Sequence, residues 1–373
     1  MASRTLRTPL CDLLGIEYPI IQAGTVPGGV PELVTAVSNA GGLGVLGASG
    51  AYDIDGMREA IRRIRASTAR PFGVDLLLPA RLETVDEDLA KVKRAVAQEY
   101  PAHAALVRGI KEEFNVPDAT APDYEVRYTP DFIRRQVAVV LEEQVPIFVA
   151  ALGDPAWMVP DAHAQGMKVI GMAGSVRNAL RQLKAGVDIV VAQGHEGGGH
   201  TGRIATMVLV PQVVDAIAPT PVVAAGGIAD GRGVAAALAL GAVGVWCGTA
   251  FLASEEAGIT PLHRQRILEG RDQDFVVSRI FSGKPARSYK IPLIDRWNKS
   301  GLEPLPMPLQ GLLQDDVLYG AEEADIQELI SSSAGQSAGL VSKIRPARVI
   351  LEEMVQQASD ILNRLGSEVA QAG

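Results

Sequence analysis

The segment Gln193-Gly-His-Glu-Gly-Gly-Gly-His-Thr-Gly202 gathers donors, acceptors and titratable groups onto a run of glycines. Glycine adds little packing, but without a Cβ its backbone can approach a ligand closely, and loops of this kind serve function more often than architecture. His200 stands at the far end of the run. Its imidazole titrates near neutrality, so it can take a proton from an acidic C–H or hydrogen-bond an anionic substrate. Gln193 carries a donor and an acceptor on one amide, which matches the polar edge of an isoalloxazine ring. A single histidine is by default a packed or surface residue; the glycines around His200 favour a functional reading. His195 lies five positions earlier, with only Glu196 as a further ligand, so no metal site is expected. His103, His163 and His263 have no supporting pattern and are expected to be ordinary surface residues.

Two other glycine loops could hold an anion: Ala225-Gly-Gly-Ile-Ala-Asp-Gly-Arg-Gly233 and Cys247-Gly-Thr-Ala-Phe251. Their exposed N–H groups, with the positive end of a helix starting near Gly231, would suit a phosphate. Gly226, Gly227, Gly248 and Thr249 are the phosphate candidates. Either loop alone would read as a tight turn. Both follow apolar runs that fall late in a strand series, where a (β/α)8 barrel commonly holds phosphate.

Those runs define the architecture. Pro19-Ile-Ile-Gln-Ala, Gly42-Leu-Gly-Val-Leu-Gly, Phe72-Gly-Val-Asp-Leu-Leu-Leu, Val145-Pro-Ile-Phe-Val-Ala-Ala-Leu, Lys168-Val-Ile-Gly-Met-Ala, Asp188-Ile-Val-Val-Ala-Gln, Pro221-Val-Val-Ala-Ala and Ala242-Val-Gly-Val-Trp-Cys make a set of eight. Continuous rather than alternating hydrophobicity indicates strands covered on both faces. Helical patterns lie between most of them, at Pro31 to Ala40, Asp55 to Ser67, Val176 to Ala185 and Gly231 to Leu240. Eight βα units favour an α/β fold of the TIM (β/α)8 barrel type over a doubly wound open sheet.

Residues 80–130, charged and partly helical, read as an insertion after strand three. A barrel domain over 1–255 and a mainly helical extension over 256–373 are expected. In the extension, Glu303-Pro-Leu-Pro-Met-Pro-Leu excludes a regular helix across Trp297 to Gln310. Asp325 to Ser331 and Pro346 to Val369 carry helical spacing, so the extension is expected to pack over the barrel mouth as a smaller helical layer.

Composition bounds the partners. With 373 residues and 47% hydrophobic content the chain can bury a large core. A net charge of −8, with no basic run, argues against nucleic acid. Cys11 and Cys247 are the only cysteines, too few for a disulfide framework. No long apolar stretch suggests a signal peptide or a membrane span, and a cytoplasmic location is expected.

Over roughly residues 8–255 the chain resembles the nitronate monooxygenase (2-nitropropane dioxygenase) family and its relative, the flavin-dependent enoyl-ACP reductases. The resemblance is carried by Tyr18-Pro-Ile-Ile-Gln-Ala-Gly, Ser38-Asn-Ala-Gly-Gly-Leu-Gly, Pro71-Phe-Gly-Val-Asp-Leu, the Gln193–Gly202 segment and Ala224-Ala-Gly-Gly-Ile-Ala-Asp-Gly-Arg-Gly. Purine nucleotide dehydrogenases share a similar phosphate loop but use a loop cysteine, and neither cysteine here is so placed. The resemblance implies non-covalent FMN. It places Gln22, Ala23, Gly24 and Gln193 beside the flavin, with Asp75, Gly198, Gly199, Gly226, Gly227, Trp246, Cys247, Gly248 and Thr249 completing the cofactor site. His200 matches the family's active-site base. Ser333, in Ser333-Ala-Gly-Gln-Ser-Ala-Gly-Leu, matches a segment that returns a small polar residue to the site. Asp75 departs from the Asn common in the family, and a carboxylate there would disfavour an anionic reduced flavin. A lysine that some relatives direct at the phosphate is missing around Met172-Ala-Gly-Ser175.

The reaction so implied is oxidation of an alkyl nitronate by one-electron transfer to FMN and then O2, giving a carbonyl compound and nitrite. The alternative is an NAD(P)H-dependent flavin reductase acting on an enoyl thioester or a quinone. A third reading is a non-catalytic metabolite-binding barrel. The expected partners are a small-molecule substrate, O2 and, in the reductase reading, NAD(P)H, with a homodimer as the candidate assembly.

Overall fold

The computed structural model describes residues 6–78, 89–119 and 129–371. All eight apolar runs form strands: β1 (Ile20–Gln22), β2 (Gly44–Gly47), β3 (Phe72–Leu78), β4 (Ile147–Gly153), β5 (Lys168–Ala173), β6 (Ile189–Gln193), then, after a short β7 (Gly199–His200), β8 (Val222–Ala225) and β9 (Gly244–Cys247). The eight are parallel and run in the order β1-β9-β8-β6-β5-β4-β3-β2. A parallel bridge between Ile21 and Leu43 brings the two ends of the order together. The Gln22 N–H donates to the Leu43 carbonyl at 2.9 Å across the same seam. The fold is a TIM barrel.

Burial explains the continuous apolar runs. Ile21, Val45, Val149, Ile170, Val191, Val223 and Trp246 face one another inside the ring, while Ile20, Leu46, Val74, Phe148, Val169, Val190 and Ala224 face the surrounding helices. Both faces of the strands are buried, so the runs are apolar almost throughout, with Gln22 and Asp75 as buried polar exceptions. Leu10, Cys11 and Leu14 of the helix Pro9–Leu14 join the inner cluster, and Leu10 sits where a Cβ on Gly244, at the start of β9, would collide. That helix therefore plugs the N-terminal end and leaves the other end for a site.

The helices Pro31–Asn39, Ile54–Ser67, Val176–Ala185 and Gly231–Ala239 match the expected spans to within a residue at each end. Within the 80–130 insertion, helices Leu89–Glu99 and Pro101–Glu113 lie in the described residues, and residues 80–88 and 120–128 lie outside them. Leu106, Val107 and Ile110 bury against Ile294, Trp297 and Val317, so insertion and extension share a satellite core.

The extension departs from expectation in two places. Asp325–Ser331 is a series of turns, and the helix lies earlier, at Leu309–Glu323. Asp325 adopts φ 50°, outside the helical region, so the chain turns away there despite its apolar spacing. The expected helical layer over the mouth is supplied instead by a small sheet: β10 (Phe275–Ser278) pairs antiparallel with β11 (Ala286–Tyr289), which pairs with β7. The last helix, Ala347–Gln371, lies on the barrel wall between Gly231–Ala239 and Pro31–Asn39. After β9 there is only the short helix Thr249–Leu252, which leaves that flank open, and Ile350, Leu351, Met354 and Ala358 fill it. Among the described residues no helix is long and apolar enough to cross a membrane.

Candidate active site

Each end of the glycine segment is tied down. At its start, Gln193 Nε2 donates to the His200 carbonyl at 2.8 Å, closing the segment into a loop. At its end, Gly199 and His200 pair with Arg287 and Ala286 of β11. Buried Arg287 clamps the two layers, donating to the Phe275 carbonyl at 2.6 Å and the His195 carbonyl at 3.0 Å. Glu196 accepts from the Thr206 N–H and hydroxyl, which fixes the loop to the next helix. His195 donates from Nδ1 to the Gly202 carbonyl at 2.9 Å. The glycines are needed for close packing: a Cβ on Gly198 would lie 2.6 Å from the Ala334 carbonyl carbon and 2.7 Å from the Gly335 nitrogen.

Over the C-terminal ends of the strands this loop walls a cavity of about 400 Å³. Its lining brings together Ala23 and Gly24 after β1, Asp75 on β3, Gln193, Gly198, Gly199 and His200, Gly226 and Gly227 after β8, Trp246, Gly248 and Thr249 at β9, and Ser333. Residues from opposite sides of the barrel thus meet at one mouth, as the fold requires. Two expected residues do not line it. Gln22 is spent on β2, accepting from the Val45 N–H at 2.9 Å and donating to the Val45 carbonyl at 3.2 Å. Cys247 turns into the layer between strands and helices, where burial pushes its thiol up to about 12.

Ionisation within the cavity follows from burial. His200 is held below the usual histidine range, first by desolvation and then by the nearby Lys284 charge. It is therefore neutral at physiological pH, as a base must be. Its Nε2 lies 2.9 Å from the Ser282 hydroxyl, and Nδ1 has no partner among the described residues. Asp75 is raised well above the ordinary carboxyl range by desolvation, and its carboxyl group has no hydrogen-bond partner among the described residues. Gly24 makes room for it: a Cβ there would lie 2.8 Å from Asp75 Oδ2.

The cavity suits a flavin nucleotide in size and in unmet polar groups. Its volume falls in the range of small-ligand sites. Gly226 and Gly227 hold φ of 102° and 76°, conformations that glycine adopts freely. The N–H groups of Gly227 and Ile228 donate to no described residue. The hydroxyls of Thr25 and Ser288, both in the lining, are buried without partners. Buried polar groups are rarely left so unless something else meets them. One expected contributor is already engaged: the helix starting at Gly231 has its first N–H groups capped by Asp230, at 2.9 Å from Arg232 N, and by Gln357, at 3.2 Å from Gly231 N. An anion here would be held by the 226–228 turn and the 248–249 turn.

Apart from Ser333, sequence reasoning missed the contributions from beyond residue 255. His263 is not on the surface: it is buried, lines the cavity and bonds the Ser333 carbonyl at 2.9 Å. His103 is half-buried, its Nε2 bonding the Glu303 carbonyl at 2.9 Å, whereas His163 is exposed and pairs with Asp188. Ser282 and Lys284 lie on the β10–β11 turn, signalled only by the β-rich runs Phe275-Val-Val-Ser and Ala286-Arg-Ser-Tyr around Gly283. Ser333 itself lines the cavity, and Gly335 N–H donates to Thr249 Oγ1 at 2.8 Å, so this segment is bonded to the candidate phosphate turn.

Comparison with known proteins gives a consistent picture. The family model described as nitronate monooxygenase matches residues 7–357. A protein of Mycobacterium tuberculosis assigned as a monooxygenase is 37% identical, covering 96% of this chain and 98% of its own length. Among solved structures, nitroalkane oxidase from Streptomyces ansochromogenes aligns with TM-score 0.82 at 30% identity, over 95% of this chain and 99% of that one. FabK from Thermotoga maritima aligns with TM-score 0.76 at 33% identity, over 98% and 100%.

Proposed function

This chain belongs to the nitronate monooxygenase family of oxidoreductases, and from that premise we propose that it oxidises alkyl nitronates with O2, using FMN, to a carbonyl compound and nitrite. The observation that carries this is His200, half-buried and neutral, on the wall of a glycine-lined cavity whose strand-end turns offer N–H groups with no partner among the described residues. FMN bound there would supply the acceptor for an electron from the nitronate. The atoms balance when each C=N bond gives way to C=O, nitrite departs with the charge, and one O2 serves two nitronates.

The chain's own residues do the rest. With Nε2–H donating to Ser282, whose hydroxyl lies 3.4 Å from the Lys284 carbonyl, Nδ1 of His200 keeps its lone pair. That nitrogen takes the acidic C–H proton of a neutral nitroalkane, and the imidazolium then holds the anion formed. Lys284, cationic and half-buried, favours the nitronate over its conjugate acid. The β10–β11 turn and Ser333 cover the mouth and keep water from the reacting carbon.

Oxygen uptake and nitrite release on adding propyl-2-nitronate to the purified flavoprotein under air test this reading; absence of both removes it. A second reading is favoured by the alignment with FabK, an enoyl-ACP reductase: NAD(P)H reduces the flavin, and an enoyl thioester or quinone reoxidises it. Rapid anaerobic bleaching of the flavin by NADH or NADPH would select it.

A further inference from the structure

Among the described residues Asp75 is the one carboxyl lining the cavity, and proton removal by His200 does not use it. It sits mid-way along β3, between Val74 and Leu76, which face the surrounding helices, so its own side chain points into the ring. Gly47 of β2 and Val149 of β4 flank it across the ladder. On the side of β1, Gly24 leaves no room for so much as a methyl group beside Oδ2. None of these neighbours brings a charge or a hydrogen bond. The other titratable groups in the lining are His200 and His263, both held below the usual histidine range, first by desolvation. No lysine or arginine lines the cavity among the described residues. Lys284, whose charge reaches His200, does not act on Asp75. The helices Pro31–Asn39 and Pro130–Glu142 pack on β3, and their Glu32, Asp131, Arg134, Arg135 and Glu142 are exposed. Desolvation is thus the sole cause acting on this carboxyl.

We propose that Asp75 holds the flavin as a neutral carboxylic acid, donating a hydrogen bond to the ring, so that flavin affinity is coupled to one bound proton. This rests on the cavity being the FMN site and does not depend on which substrate meets the ring. An oxidised isoalloxazine carries several acceptors and a single ring N–H, so it calls chiefly for donors. Gln193 already donates to the His200 carbonyl, and Nε2 of His200 is engaged with Ser282. A protonated carboxyl supplies an O–H, whereas a carboxylate supplies lone pairs only. Ionised, Asp75 would also set a buried negative charge beside a ligand that carries a phosphate, with no cation in the lining to offset it.

Release of FMN on dilution of the loaded enzyme, read by the fluorescence of the free cofactor between about pH 5 and 9, tests this on wild type and Asp75→Asn. The FMN phosphate and the two histidines titrate in both proteins, so the ratio of the two Kd values isolates residue 75. That ratio, wild type over variant, should rise with pH, by up to about tenfold per unit. A constant ratio would overturn the proposal. So would a ratio that falls as pH rises, which would mean a carboxylate accepting from the ring N–H. Where the variant fails to fold or to keep flavin, wild type decides alone. With isotopically labelled aspartate, the infrared band of a protonated carboxyl should persist in the loaded enzyme at about pH 7, where exposed aspartates are ionised; its absence would overturn the proposal. Wild type that binds no FMN at any pH would remove the flavin site together with this contact. Proton-linked flavin binding in an enzyme inert towards nitronate would support the contact and remove the nitronate reading alone.

Discussion

The Ser282 hydroxyl stands 2.9 Å from Nε2 of His200, joining a turn of the extension to the loop after β6. The catalytic candidate is thus aimed by a residue far along the chain, and the barrel alone does not complete the site.

Ser282→Ala should lower turnover of a neutral nitroalkane by about fivefold to tenfold, the worth of one hydrogen bond of about 1 kcal/mol. Preformed nitronate needs no proton removed and should be affected less, with flavin absorbance unchanged. Steady-state kinetics with nitroethane and ethylnitronate check this; equal losses on both would mean that Ser282 acts only on packing.

Lys284→Met should move the acid limb of the pH profile upward. Burial first and the Lys284 charge second depress the ionisation of His200. With the charge gone, the imidazole holds its proton to higher pH, and the basic form disappears earlier on acidification. The measurement is kcat/KM for a neutral nitroalkane between about pH 5 and 8. An unmoved limb would show that another group sets it.

Asp75→Asn should stabilise the flavin-free protein, increasingly so as pH rises. Folded Asp75 keeps its proton to higher pH than the unfolded carboxyl. Between the two values the unfolded chain holds fewer protons, so stability falls as pH rises through that window. The amide carries no such penalty. Thermal melts of both proteins at pH 4 and pH 8 should show the gap in Tm opening at the higher pH, and a constant gap would contradict the burial argument.

Gly198→Ala and Gly199→Ala should separate contact from conformation. At 198 the new Cβ meets the 334–335 backbone under 3 Å, so the loop and the covering segment must part. Flavin retention should drop, with a stability loss of about 1–3 kcal/mol. At 199 nothing lies within 4 Å and only φ 64° opposes the change, costing about 1–2 kcal/mol. Flavin should stay bound there.

Leu351→Ala should cost about 2–5 kcal/mol although it lies near the C-terminus. Leu351 is fully buried, its Cδ1 2.6 Å from where a Cβ on Gly42 would sit. A chemical-denaturation midpoint close to wild type would show that the last helix is not part of the barrel wall.

Read alone, the sequence determined the eight strands, the barrel and the three glycine turns. Those signals are local: a strand buried on both faces is apolar along most of its length, and a backbone that turns through positive φ or lies against another chain segment selects glycine whatever the distant contacts. It also singled out His200 and Gln193 by their position on such a turn. Tertiary structure alone decided what faces the cavity. Gln22 and Cys247 look equivalent in sequence to neighbours such as Ala23 and Gly248, yet successive side chains on a strand point to opposite faces, and registers of one residue send them elsewhere. Ser282 and Lys284 are ordinary polar residues in an irregular extension, brought to the imidazole because β11 pairs with β7, and His263 reaches the cavity wall from the helix Pro261–Glu269. The last helix, likewise, reads as any amphipathic segment until the gap after β9 gives its apolar stripe a place to bury. Long-range pairing of this kind depends on which surfaces remain uncovered once the barrel has closed, and no single stretch of sequence records that.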